Sequence, residues 1–174
     1  IPLVYGMARY QQALRNDAFG NFEKVLTDVT LSPVMGKYLD MANNRALTNG
    51  VQPNENYARE LMELFSLGIG NYSENDIKEA TRAFTGYTID VNGNWTLNTN
   101  QHDFTAKTVL GQTCQTGDDV HHILVSSVQG GRNVSAHFMT AKLFSWFAYP
   151  VAVDDPWVLG VAPGLVANGH SFRW

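Results

Sequence analysis

Residues 53–68 read PNENYARELMELFSLG and predict one short helix, here called the signature helix, with two different faces. Its apolar positions recur at the spacing of one helical stripe, at Tyr57, Leu61, Leu64, Phe65 and Gly68. Its polar positions gather on the remaining surface, at Asn56, Arg59, Glu60 and Glu63. One face can therefore pack against a core while the other carries charge.

A second helix follows closely and should pair with the first. Asn54 can cap the signature helix, because its side chain can accept a hydrogen bond from the first helical turn. Ser73 and Asp76 stand three residues apart, the spacing of a capping box, so the next helix should begin there. Residues 54–67 and 73–85 are expected to pack together as a helical hairpin.

The flanking sequence predicts the rest of a helical bundle. Apolar residues recur at helical spacing in residues 3–15, 18–30, 33–39 and 133–149, and in a segment that begins at 117. Met7, Leu14 and Phe19 are among the side chains expected in the core. A last helix should begin near Trp157, and Pro163 should interrupt it.

The periodicity changes from 3.6 to 2 after Gly86. Residues 87–91 and 95–97 alternate as short strands, and Asn92-Gly93 between them tolerates the positive φ angles of a tight turn. A β-hairpin is therefore expected at about residues 86–98, packed against helices because two strands alone are only marginally stable. The segment 101–111 that follows is predicted as loop and turn.

The composition is that of an ordinary globular chain, with 44% hydrophobic and 16% charged residues over 174 positions. A formal charge of −4 and scattered basic residues argue against nucleic acid as a partner. No apolar run approaches the roughly 20 residues of a membrane span. Cys114 is the only cysteine, so no internal disulfide forms. We predict a mainly α fold over residues 1–174, a single domain built as a bundle of packed helix pairs with one small β-hairpin.

The signature helix also carries a resemblance. Together with residues 67–72 (LGIGNY) and 79–87 (EATRAFTGY), residues 53–65 resemble a bacterial family called domain of unknown function 1800. The resemblance extends over most of the chain. It implies a mostly helical domain of which this chain is an internal fragment, and an exported protein, periplasmic or extracellular. It supplies no catalytic residue, cofactor or substrate.

An acidic pair on the signature helix is the first candidate for chemistry. Glu60 and Glu63 are spaced i, i+3 and project from neighbouring positions on one helix face. Joined by His102 and Asp103 from the loop after the hairpin, they could bind a divalent cation through oxygen and nitrogen ligands. They could instead act as proton donor and base in a hydrolase.

A structural role is the alternative for the same two glutamates. Structural ion pairs also place carboxylates in this way. The cationic side chains within reach on the predicted helical hairpin are Arg59, Lys78 and Arg82.

The predicted β-hairpin offers a surface that could bind carbohydrate. Aromatic rings stack on sugars and amides bond to hydroxyl groups. The rings are Tyr87 and Trp95, with Asn92, Asn94, Asn98 and Asn100 nearby. Asn56 and Arg59 complete the predicted substrate-binding set. Alternatively, Trp95 faces the core and the asparagines serve the turns.

Two functions are consistent with these patterns. The first is an exported hydrolase of a glycan or similar polymer, with Glu60 and Glu63 as acid–base candidates and His102 and Asp103 assisting. The second is a non-catalytic envelope or scaffold module in which the signature helix is a structural clamp. The cofactor is unknown, although a divalent cation is possible. A truncated core would also expose apolar surface and favour self-association.

Overall fold

A computed structural model describes residues 3–47, 50–90 and 93–173 of the protein. Within these residues lie eight α-helices: α1 (Leu3–Asn16), α2 (Phe22–Thr30), α3 (Pro33–Tyr38), α4 (Asn56–Glu60), α5 (Glu74–Ala83), α6 (Gly117–Ser126), α7 (Val134–Phe147) and α8 (Pro156–Ala167). The predicted mainly α fold is confirmed. None of the helices in these ranges is long and apolar enough to cross a membrane.

Three small antiparallel sheets, each of two strands, accompany the helices in the described ranges. Their strands are β1 (Tyr87–Ile89) with β2 (Trp95–Leu97), β3 (Lys107–Val109) with β4 (Gln112–Cys114), and β5 (Val128–Gln129) with β6 (Arg132–Asn133). The first pair is the expected hairpin, with Ile89 opposite Trp95. Val91 of the predicted first strand and Asn92 of the predicted turn lie outside the described residues.

The second sheet corrects the prediction of loop and turn for residues 101–111. The chain reverses at Leu110 and Gly111, both of which have positive φ, at 49° and 76°. Leucine rarely adopts this conformation, so the residue types at the turn do not indicate the two-residue connection of a β-hairpin. The Leu110 amide is held by Asp76 Oδ1 at 2.7 Å, which fixes the turn against α5.

The signature helix is not a uniform α-helix. Its α-helical part, α4, ends at Glu60, and the chain continues as a π-helix over Leu61–Ser66. Ser66 Oγ donates a hydrogen bond to the carbonyl oxygen of Leu61 at 2.6 Å and so supports the wider turn. The predicted i, i+3 pair of Glu60 and Glu63 therefore straddles a change of helix type.

The main core is formed by the inner faces of the signature helix, α5 and α6. Tyr57 and Phe84 are buried there with their rings edge to face, 5.2 Å between centroids. Leu61 is buried as the apolar stripe predicts, but Leu64 is 47% exposed because the π-helix rotates it outward.

A polar cluster lies inside this core. The Thr30 hydroxyl hydrogen bonds with the Tyr57 hydroxyl and, at 2.7 Å, with His121 Nε2, while Thr27 Oγ1 lies 3.2 Å from His121 Nδ1. Burial lowers the pKa of His121 to about 4, so its ring is neutral at pH 7. The core thus contains a histidine that resists protonation.

Other corrections concern side chains at the periphery. Met7, Leu14 and Phe19 were expected in the core but are exposed.

Pro163 does not interrupt the last helix. The helix α8 runs through it because Val158 and Leu165 are buried, and this packing outweighs the cost of the proline.

Candidate functional site

The two arginines of the helical hairpin are both held in ion pairs. Arg59 on α4 donates to both carboxylate oxygens of Glu74 on α5, at 2.8 and 2.7 Å, and contacts Glu55 at 3.4 Å. The hydrogen bond to Glu74 raises the pKa of Arg59 above its already high value. Arg59, predicted to bind substrate, therefore joins α4 to α5.

Arg82 makes the second set of ion pairs and engages a predicted catalytic residue. Its guanidinium contacts Glu79 at 2.6 Å and Asp103 at 2.8 Å, and it also donates to Thr105 Oγ1. Burial opposes the ionisation of Asp103, but hydrogen bonds from Arg82 and Thr105 outweigh it and keep the pKa of this carboxyl well below its usual range. Asp103 is thus a charged partner of Arg82.

His102 is bound to the end of α5. Its Nδ1 donates to the carbonyl oxygen of Thr85 at 2.7 Å, and its ring lies edge to face on Phe104, 4.7 Å between centroids. The Asp103 amide donates to Thr85 Oγ1 at 2.9 Å. These bonds attach the loop after the hairpin to the helix.

The two glutamates of the signature helix have different surroundings. Tyr72 donates its hydroxyl to Glu63 Oε2 at 3.2 Å. Across the described ranges, the carboxylate of Glu60 has no hydrogen-bond or ion-pair partner, and neither glutamate contacts His102 or Asp103 in this way. The predicted catalytic four are therefore not joined in one hydrogen-bonded site.

A metal site is not formed by these side chains either. No group of three or more His, Cys, Asp or Glu side chains within residues 3–47, 50–90 and 93–173 is placed to hold a metal ion. Asn56 begins α4, and its backbone amide donates to Asn54 Oδ1 at 2.9 Å; the N-cap is Glu55 rather than the predicted Asn54, and the Glu55 side chain makes no capping bond. Its side chain is exposed.

A groove forms elsewhere, between α1, the junction of α2 and α3, and the β1–β2 hairpin. Its volume is about 290 Å³. Its polar lining consists of Arg9, Tyr10, Asp28, Ser32, Asn94 and Trp95. Of the predicted substrate-binding residues only Trp95 lies in this groove, whereas Tyr87 packs against the core.

Trp95 is fixed in the groove by its neighbours. A side chain at Gly36 would place its Cβ only 2.3 Å from Trp95 Cζ2, so the indole ring packs directly on the backbone of α3. Tyr87 holds another side of the ring edge to face, with 6.0 Å between centroids. The indole Nε1 is buried and has no hydrogen-bond partner among the described residues.

Ser32 contributes a second polar atom of the same kind. It precedes α3 at the N-cap position, but its side chain makes no capping hydrogen bond. The residue is 6% exposed, and its Oγ is buried without a partner in the part of the chain described. An unpaired buried polar group costs free energy, about 1–3 kcal/mol each. Both atoms belong to side chains that line this groove, and we therefore take it as the candidate site.

The charged side chains around the groove differ in whether they have an ion-pair partner. Asp28 Oδ2 is bound by Lys24 Nζ at 2.7 Å, and the same ammonium group contacts Asp17 at 3.0 Å. Arg9 is exposed on the groove wall and makes no ion pair or side-chain hydrogen bond with the described residues. Its guanidinium is available to a ligand.

Sequence reasoning missed Arg9, Tyr10 and Asp28 altogether. These residues and Trp95 belong to separate elements, so no local spacing connects them. In the sequence, Ser32 ahead of Pro33 indicates only the N-cap of a helix. The one available signal was Trp95 with Asn94 on the β-hairpin, which predicts a surface that could bind carbohydrate. Asn94 itself is held in the turn, because its backbone amide donates to Asp90 Oδ1 at 2.8 Å.

Comparison with known proteins identifies the family but no function. The chain belongs to the family described as protein of unknown function (DUF1800), whose family model matches residues 2–169. The resemblance noted in the sequence is therefore confirmed. No curated protein matches the chain, and no solved structure does.

Proposed function

We propose that this protein is a non-catalytic module that binds carbohydrate in the groove beside Trp95. The observation that supports the proposal is the pair of buried, unpartnered polar atoms, Ser32 Oγ and Trp95 Nε1, in side chains that line one groove. An indole N–H donates a hydrogen bond and a serine hydroxyl both donates and accepts. Sugar hydroxyl groups offer both functions at short intervals, and a ligand in the groove would reach the two atoms by displacing the side chains that cover them in the unbound protein.

The size and lining of the groove suit a short section of a saccharide. About 290 Å³ is at the lower end of ligand-site volumes. The indole ring and Leu31 supply apolar surface, while Tyr10 and Asn94 add polar groups to the lining. Carbohydrate recognition commonly needs this combination of an aromatic wall and several hydrogen-bonding side chains.

The lining also argues for binding without hydrolysis. Glycosidases use two carboxyl groups on either side of the scissile bond. Among the described lining residues only Asp28 has a carboxylate, and it is bound by Lys24, which also pairs with Asp17. In this proposal, the ion pairs of Arg59 make the signature helix a structural clamp on α5, and those of Arg82 attach α5 to the loop that carries Asp103.

The proposal is tested by measuring saccharide binding to the whole chain. Affinity electrophoresis in gels containing starch, xylan, galactan or polygalacturonate would identify a ligand, and calorimetry with its oligosaccharides would give Kd. Trp95→Phe removes the indole N–H and should weaken binding about tenfold or more. Trp157→Phe is the matched control, because Trp157 is 61% exposed on α8, outside the groove lining. Equal binding by both variants would overturn the proposal.

A hydrolase remains the second candidate. The observation that favours it is the contrast between Glu60, which has no partner among the described residues, and Glu63, which is held by Tyr72. Two carboxyl groups in different surroundings can divide into acid and base. Release of reducing ends from the bound polysaccharide, lost in Glu60→Gln and in Glu63→Gln, would support it. No release by the wild type would remove it.

Two further expectations belong with this proposal. By family likeness we propose an exported protein, periplasmic or extracellular, which is tested by fractionation of cells that express the native gene. Self-association would use the exposed aromatic side chains of α7 and α8, among them Trp146 at 84% and Phe147 at 87% exposure. Sedimentation of the wild type and of Trp146→Ser at equal concentration tests it.

A further inference from the structure

We propose that a second pocket, at the C-terminal end of the signature helix, binds a phenol, meaning a single aromatic ring that carries a hydroxyl group. The pocket lies between the end of that helix, the β5–β6 hairpin and α7. It shares no described lining residue with the groove beside Trp95, so it is a separate site. The side chain that would bind the hydroxyl group is His137.

The hydrogen bond of His137 to its own helix fixes which ring nitrogen carries the proton. Its Nδ1 lies 2.7 Å from the carbonyl oxygen of Asn133, one helical turn earlier. A carbonyl oxygen can only accept a hydrogen bond, so in the neutral ring Nδ1 carries the proton. The other nitrogen, Nε2, is therefore an acceptor.

This acceptor is free to bind a ligand. His137 is 9% exposed and lines the pocket, and Nε2 makes no hydrogen bond with the described residues. Unlike Ser32 Oγ and Trp95 Nε1, His137 Nε2 is not closed to solvent. A buried histidine with one free acceptor matches a ligand that donates one hydrogen bond. A hydroxyl group that enters the pocket can donate it.

The wall of the pocket is apolar and suits an aromatic ring. The Phe138 ring packs on the backbone at Gly68, where an added Cβ would lie only 2.9 Å from Cδ2 and Cε2 of the ring. Lys142 Nζ lies 4.8 Å from the centroid of the same ring. Phe138 is thus held in place, and a second ring can pack against it. The other apolar lining residues are Leu67, Val134 and Val153.

The volume and the polar lining favour one ring with few polar groups. The pocket measures about 150 Å³, the size of a cavity that holds one benzene ring. Two of its amide side chains already donate within the protein: Asn71 Nδ2 to the Leu67 carbonyl oxygen at 3.0 Å, and Gln129 Nε2 to the Asn71 carbonyl oxygen at 2.8 Å. A saccharide needs partners for several hydroxyl groups, whereas a phenol needs one. The pocket therefore selects a different ligand class from the groove.

The test compares phenol with anisole, its methyl ether, which keeps the ring but cannot donate a hydrogen bond. Calorimetry with the whole chain should show saturable binding of phenol, about tenfold tighter than that of anisole, because anisole leaves Nε2 without a donor. His137→Phe should remove this preference. His122→Phe is the matched control, since His122 is exposed beside Glu23, and it should keep the preference.

A second variant locates the binding site without touching the core. Val153 is 49% exposed, so Val153→Trp can fill the pocket from the surface and should abolish phenol binding. Val166→Trp is the control, because Val166 is 37% exposed on α8 and is not among the lining residues; it should leave phenol binding unchanged. If His137→Phe does not fold, the ¹⁵N resonance of His137 Nε2 in the wild type decides the question and should shift on addition of phenol but not of anisole.

Four results would overturn the proposal. Absence of phenol binding would remove the site, and equal binding of phenol and anisole would remove the role of Nε2. Phenol binding that survives Val153→Trp would place the ligand elsewhere. Tighter binding of benzoate than of phenol would assign the pocket to an aromatic acid bound by Arg132, which is exposed in the lining. None of these results bears on saccharide binding in the groove.

Discussion

The helical hairpin of residues 54–67 and 73–85 differs from the groove in whether its polar side chains have partners. In the hairpin, Arg59 and Arg82 are each bound by carboxylates from other segments. In the groove, Ser32 Oγ and Trp95 Nε1 are buried without partners in the described structure. The charged residues that stand out in the sequence are therefore occupied within the fold. In our proposal, the ligand binds where the polar atoms of Ser32 and Trp95 remain unpaired.

The largest expected effect comes from breaking the Arg82 cluster. Arg82→Gln should lower the free energy of unfolding by about 3 kcal/mol, because it leaves the partly buried Glu79 and Asp103 charged without their partner. Urea denaturation measures the change. Arg132→Gln, at an exposed arginine without an ion pair in the described ranges, should stay within about 0.5 kcal/mol. Similar small losses for both variants would show that the cluster is not a clamp.

Acid should destabilise the core through His121. The unfolded histidine binds a proton near pH 6.5, whereas the folded one does so only near pH 4. The unfolded state therefore holds more protons between these values, and stability falls as the pH is lowered through this window, by about 3 kcal/mol at most. Asp103, whose pKa is lowered in the fold, adds a loss in the same direction at still lower pH.

Denaturation of wild type and His121→Gln at pH 7 and pH 4.5 measures this effect. In this variant, the part of the change in unfolding free energy between pH 7 and pH 4.5 that comes from His121 should be absent. His122→Gln provides the control, because His122 is exposed beside Glu23. Should His121→Gln fail to fold, NMR titration of His121 in the wild type decides the matter: a pKa near 6.5 would contradict the prediction.

A pair of glycine substitutions tests how firmly Trp95 is held. Gly36→Ala places a methyl group against the indole ring and should cost about 1–3 kcal/mol and weaken saccharide binding. Gly160→Ala on α8 meets no atom within 4 Å and should raise stability by up to about 1 kcal/mol, since alanine favours helix. Equal stability of the two variants would mean that the indole does not pack on α3.

The helices could largely be predicted from local sequence. Ser73 with Asp76 forms the expected capping box, and the helix that follows is α5. The π-helix could not be predicted, because Ser66 supports it through one side-chain bond that has no periodic signature. Sequence spacing also placed Glu60 and Glu63 beside arginines, but it could not show that other carboxylates would reach those arginines first.

The groove could be predicted only in part. The aromatic residue on the hairpin was recognised, since Trp95 follows a turn rich in asparagine. Its partners were not, because α1, Ser32 and the hairpin are separated by long stretches of chain and meet only through tertiary packing. An unpaired atom such as Ser32 Oγ is also a property of three-dimensional surroundings, which a sequence does not display.

The central claim is that the groove, rather than the charged helical hairpin of residues 54–67 and 73–85, binds the ligand. The most direct test is Ser32→Ala, measured for both stability and saccharide affinity. Removing an unpaired buried hydroxyl should leave the free energy of unfolding unchanged or raise it by up to about 1 kcal/mol, while saccharide binding weakens about tenfold. Unaltered affinity in this variant, or a wild type that binds none of the polysaccharides, would contradict the claim.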